Sequence, residues 1–108
     1  MTSFSRREPR SRAAVIRRLR SRLHKRCEQA FLFGSFARND QDSERDVDLI
    51  VVAKTQHRMP DRVRDFVDVV FDFAPLDLVV LTPEEFARAQ KRPPPLIAHA
   101  RREWVQIV

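Results

Sequence analysis

The stretch Asp46-Val47-Asp48-Leu49-Ile50-Val51-Val52-Ala53 decides how this chain folds. Its β-branched residues favour a strand, and its second half is apolar at consecutive positions. The pattern predicts a strand covered on both faces. Alternation puts Asp46, Asp48, Ile50 and Val52 on one face and Val47, Leu49 and Val51 on the other. Two carboxylates therefore project side by side, about 7 Å apart along the strand by its rise per residue. At the head of an otherwise apolar element they repel one another and are costly to desolvate, and a divalent cation would relieve that cost. Hard oxygen donors without Cys or His select Mg²⁺ or Mn²⁺ rather than zinc.

Upstream, Ala30-Phe31-Leu32-Phe33 reads as a short strand stopped by Gly34, the chain's single glycine, and a helical turn from Ser35 to Arg38 follows. Asn39 to Arg45 is polar throughout and reads as a surface loop. Before the first strand, Ala13, Ile16, Leu19, Leu23 and Cys27 recur at steps of three and four, which predicts an amphipathic helix from Pro9 to Cys27 with Pro9 in its first turn. Downstream, Val63, Phe66, Val67, Val70 and Phe71 predict a helix over Pro60 to Phe73, although its last residues also have strand propensity. Pro75 breaks that segment. Leu76 to Leu81 reads as a third strand, with Asp77 near its start and Val79 and Leu81 on the same face as Asp77. Thr82-Pro83-Glu84-Glu85 supplies an N-cap, a proline at the first helical position and a carboxylate at the third, opening a helix to about Gln90. Pro93-Pro94-Pro95 breaks the chain again. A short helix through Leu96, Ile97 and Ala100 follows, and Trp104 to Val108 suits an edge strand.

The 108 residues are 43% apolar and 33% charged, enough apolar content for one small core and too short a chain for two. A single cysteine, Cys27, excludes an internal disulfide, and His24, His57 and His99 have no zinc-ligand spacing. These histidines are expected to be structural or exposed. No apolar run approaches the roughly 20 residues that span a bilayer, so no transmembrane helix is expected. Charge is uneven: residues 1–26 hold ten Lys or Arg against Glu8 alone, a local +9. The remaining eleven basic and fourteen acidic residues sum to −3. Such a start suits a nucleic-acid arm, a docking helix for an acidic partner, a transit segment or a solvated helix face.

Asp77 repeats the acidic-head pattern on the next strand. Paired beside the first acidic strand, it brings a third carboxylate to the same end of the sheet. Three carboxylates suffice to clamp two metal ions for in-line displacement at phosphorus. Gly34 at a strand end lets backbone approach an anion closely, and Ser35 adds a hydroxyl. Each piece has a plain structural reading as well: Gly34-Ser35 as a turn, Asp46 and Asp48 as a solvated strand end, Asp77 as a turn residue after a proline. The order of the pieces is more telling than any one of them.

That order resembles a known family. Gly34-Ser35, ten intervening residues and Asp46-Val47-Asp48 followed by Leu49-Ile50-Val51-Val52 look like the signature of the nucleotidyltransferase superfamily typified by DNA polymerase beta. Phe33-Gly34-Ser35-Phe36-Ala37-Arg38 is similar to the group's phosphate-loop wording, and the likeness is to its compact single-domain form, the minimal nucleotidyltransferase. The resemblance implies an α/β fold, a small mixed sheet with helices packed on it, forming one domain over residues 1–108 with a flexible basic start at 1–8. It implies that Asp46, Asp48 and Asp77 are catalytic and bind two Mg²⁺ ions, Asp77 assisting deprotonation of the acceptor. It also implies that Gly34 and Ser35, with Arg38, hold the triphosphate of ATP as donor. Two positions depart from the pattern: Arg45 stands where a small hydroxyl residue is common, and Asn39 where a glycine often follows the arginine.

The implied reaction is attack of a hydroxyl on the α-phosphorus of the nucleotide, with pyrophosphate leaving. Minimal nucleotidyltransferases resemble the antitoxin half of pairs with a helical HEPN-domain ribonuclease toxin, in which a toxin tyrosine receives AMP. The resemblance thus implies a cytoplasmic protein with a HEPN-domain toxin as partner, in a hetero-oligomer. Nucleic acid is the less favoured partner, and no membrane contact is expected. Arg38 either contacts phosphate or caps its loop, and Trp104 with Leu96 and Ile97 form core or a dimer surface.

Overall fold

The central strand forms where the sequence concentrates apolar residues. In the computed structural model, which describes residues 11–38 and 46–108 apart from the side chain of Ser35, β2 spans Val47–Val52. Every residue of β2 except Asp48 is buried. It lies between β1 (Gln29–Phe33), antiparallel to it, and β3 (Leu76–Leu81), parallel to it, and β4 (Val105–Gln106) closes the order β3-β2-β1-β4. Each strand falls where its pattern predicts. The parallel β2–β3 pair needs a crossover, which the 3-10 segment Met59–Phe66 and α3 (Val67–Asp72) provide.

Both faces of the sheet are covered. On one, Leu32, Val47, Leu49, Val51 and Val80 pack against Val15, Leu19 and Leu23 of α1 (Arg12–Leu23) and against Phe66, Val69 and Phe73. On the other, Phe31, Phe33, Ile50, Val52 and Leu81 meet Phe86 of α4 (Pro83–Lys91), Ile97 and Ala100 of α5 (Pro95–Ala100), and Trp104. Phe31 stacks on Trp104 at 4.4 Å between centroids and on Phe86 at 5.4 Å. Ile97 is thus core and the partly buried Trp104 packs against that core, while Leu96 is 46% exposed. Among the described residues no helix is long and apolar enough to cross a membrane.

Two helical faces differ from expectation. The buried stripe of α1 is Val15, Leu19 and Leu23, spaced four apart, while Ala13 is exposed. The helix starts one residue after its N-cap, Ser11, whose side chain accepts from the Ala14 amide; Pro9 lies outside the described residues. In the crossover, the first turns are 3-10 and the α-helix begins only after Phe66, whose φ of −127° interrupts the winding. Three residues per turn followed by 3.6 shifts the phase of the apolar face. Val69 and Phe73 are therefore buried, whereas Val67 and Phe71, expected inside, are exposed.

Several arginines of the basic start bind within the fold. Arg12 donates to the Ala37 carbonyl and Arg20 to the Ile107 carbonyl. Arg22 bridges Asp68 and Asp72, and Arg26 grips Asp68 and lies over the Phe66 ring. These contacts lower the Asp68 carboxyl well below its usual range, chiefly through Arg26. Buried Arg62 donates to Glu85 at 2.6 Å, to the Val80 carbonyl at 3.0 Å and to the His57 carbonyl at 2.9 Å. Glu85 in turn completes the expected capping box with Thr82 at the head of α4. Arg62 first of all, with Thr82 assisting, pulls the Glu85 carboxyl down.

Candidate active site

Three strand ends meet at one edge: the C-terminus of β1 and the N-termini of β2 and β3. The register sets Phe33 opposite Asp48 and Asp48 opposite Asp77. Opposed residues in a ladder share a face, so Asp48 and Asp77 stand on the aromatic side of the sheet, on neighbouring strands about 5 Å apart. Asp46 precedes β2 and is half-buried like Asp48, and Asp77 is exposed. The carboxylate pair that the sequence assigned to separate strands is therefore brought together by parallel pairing.

Gly34 follows β1 directly and opens the short α2 (Gly34–Arg38). Its φ of +76° lies in the left-handed region, and a Cβ there would overlap the Asp48 carboxylate, with the Asp48 Cγ at 3.3 Å. Only glycine lets the backbone come this close to the acid. The chain's single glycine thus stands against the site it was expected to serve. The Ser35 side chain, Asn39 and Arg45 lie outside the described residues.

Asp48 is held above its ordinary carboxylate range. Partial removal from water is the main cause, the charges of Asp77 and Asp46 add to it, and Arg38 opposes them. Arg38 itself donates to Glu103 at 2.7 Å, linking α2 to the turn after α5. Glu103 is a participant that sequence reasoning missed, since nothing in its local sequence marks an acid 65 positions away in the chain as the partner of Arg38.

A family model for the polymerase beta nucleotidyltransferase domain matches residues 17–106. The chain belongs to this nucleotidyltransferase family. Its fold is also similar to the crystal structure of a candidate nucleotidyltransferase from Sulfolobus solfataricus: TM-score 0.54, 19% identity, over 94% of this chain and 90% of that one. That likeness concerns the fold. No curated protein gives a match.

Nucleotidyltransferases generally use a nucleoside triphosphate and a divalent cation, and the donor set here suits one: carboxylate oxygens, two of them half-buried, with Asp48 raised first by partial removal from water and then by the charges of Asp77 and Asp46. Among the described residues no three His, Cys, Asp or Glu side chains are gathered closely enough to hold an ion as they stand. The carboxylates are aligned by the backbone without being drawn into a closed cluster.

Proposed function

We propose that this nucleotidyltransferase moves AMP from ATP to a hydroxyl of a partner protein. The supporting observation is the in-register pair Asp48 and Asp77 at the strand ends, with Gly34 pressed against the first of them. The acceptor oxygen bonds to the α-phosphorus, the bond to pyrophosphate breaks, and the hydroxyl proton passes to Asp77, the exposed carboxylate of the three. Asp46 and Asp48 would hold Mg²⁺ together with Asp77. Two such ions supply charge neutralisation at the attacking and leaving oxygens. Gly34, Ser35 and Arg38 are assigned to the donor phosphates, Arg38 by exchanging its bond to Glu103. The acceptor is taken to be a tyrosine of a HEPN-type ribonuclease, which the transfer silences.

Purified protein incubated with labelled ATP, Mg²⁺ and that partner should label it, and Asp46→Ala or Asp48→Ala should abolish labelling. Undiminished transfer in both variants would remove these residues from the mechanism. The second reading is that the chain restrains its partner by contact alone. A double carboxylate variant that neutralises the partner as well as the parent protein does would establish it.

A further inference from the structure

The cation assigned to the donor phosphates is already bound to an anion of this chain. Arg38 Nη1 donates to Glu103 Oε1 at 2.7 Å. In that position its charge still reaches Asp48, whose rise it opposes. The guanidinium is therefore held at the carboxylate edge, and the group that holds it offers the same kind of charged oxygen as a phosphate does.

Both ends of this pair have a fixed backbone. The Ala37 carbonyl, one residue before Arg38, accepts from Arg12 Nη2 at 3.2 Å, which ties α2 to the first turn of α1. The Glu103 amide donates to the Ala100 carbonyl at 3.1 Å, and the next residue, Trp104, stacks on Phe31 in β1, the strand that ends at Gly34. What can move is the two side chains. They are 40% and 25% exposed, so water and ions reach the contact and its strength is modest. Arg62, by contrast, is buried and gripped by both oxygens of Glu85, and it stays with its acid.

Glu103 also has a second cationic neighbour. His99 Nε2, four residues earlier, stands 3.8 Å from the same Oε1, and its protonated imidazole balances the carboxylate once Arg38 has left. A triphosphate brings several negative charges to the guanidinium where Glu103 brings one, so the donor is the stronger claimant.

We propose that Glu103 is a built-in competitor of the donor's phosphates: it occupies Arg38 when no nucleotide is bound, and the donor must displace it. The proposal rests on the transferase reading above for the assignment of Arg38 to phosphate, and adds what sets the donor's affinity. Glu103 acts through Arg38 and is a positioning residue. Apparent affinity is the intrinsic affinity multiplied by the fraction of molecules in which Arg38 is released, so removing the competitor tightens binding.

The test is calorimetric titration of the parent and of Glu103→Gln with Mg-ATP and with inorganic tripolyphosphate, which carries the phosphates without the base. The variant should bind both about three- to fivefold more tightly, the upper figure corresponding to the roughly 1 kcal/mol that a partly exposed ion pair is worth. In an Arg38→Gln background, itself weaker in binding, the same Glu103→Gln change should make no difference, as the carboxylate acts through that guanidinium. Weaker binding in Glu103→Gln would make Glu103 a support for Arg38, and unchanged affinity would make the pair a brace between α2 and the turn. Either result overturns the proposal, as does an equal gain in the Arg38→Gln background. Transfer of labelled AMP to the partner is read separately. A parent that transfers, with affinity unchanged in the variant, refutes the competitor alone; the expected gain in affinity without transfer refutes the transferase reading alone. A parent that binds neither ligand overturns both.

Discussion

At the end of the sheet where β2 and β3 begin, Asp48 stands partly out of water beside Asp77 and Asp46, whereas at the end where β3 hands over to α4 the buried Arg62 is matched to Glu85, Val80 and His57. The same sheet thus raises one carboxyl and lowers another. Repulsion among like charges costs stability, and a fold keeps such an arrangement where it has use for an incoming cation or anion. The satisfied end holds the crossover to the sheet, and the unsatisfied end is where the proposed chemistry is placed.

The sharpest way to break this contrast is Asp48→Asn. Transfer should drop by about 10²- to 10³-fold, the scale of losing one charge-stabilising group at a reaction centre. The melting temperature should hold or rise, because a repelled charge is gone. A marked fall in thermal stability would show that Asp48 is structural.

At the opposite end, Arg62→Ala should cost about 3 kcal/mol in urea unfolding, since the Val80 carbonyl and Glu85 lose their partner in a largely dry setting. Transfer by the protein that remains folded should persist. Gly34→Ala tests the seam between the two behaviours. Strain at positive φ and the overlap with Asp48 should lower stability by about 1–2 kcal/mol and also abolish transfer. Thr82→Ala should cost about 1 kcal/mol through the capping box alone.

Acidification supplies the finest test. Asp68 and Glu85 sit below their ordinary range, so their stabilisation is complete above about pH 4 and is lost as pH falls through their folded values. Asp48 sits above its range, so its cost is present at neutral pH and is relieved as pH falls. Between pH 6 and 3 the Asp48→Asn variant should therefore lose melting temperature more steeply than the parent; equal slopes would show that Asp48 is not held high.

Local signals were legible in the sequence and long-range ones were not. The strand bounds, the Thr82 cap and the proline breaks each depend on a few adjacent residues, and they stand where the sequence puts them. Alternation along Asp46 to Val52 also specified which acids share a face. The crossover was misjudged because periodicity presumes one winding, and a 3-10 start moved burial from Val67 and Phe71 to Val69 and Phe73. The role of Arg62 escapes a reading of the sequence, because no local pattern reveals that Glu85 and the Val80 carbonyl wait for it across the chain. Likewise, much of the basic N-terminal helix proved to be bracing: Arg12, Arg20, Arg22 and Arg26 all hold other elements.

The ladder that sets Asp48 beside Asp77 also sets Leu49 beside Leu78 and Val51 beside Val80. Deleting one residue between Asp72 and Leu76 would slide β3 by one rung, turning its acid toward α1 and α3 and moving Leu76 and Leu78 to the aromatic side and Leu81 to the other. Misthreading of this kind cannot yield a well-folded but inactive molecule, or an active but loose one. Chains that survive in a library of single-codon deletions should thus be intact in both respects or defective in both.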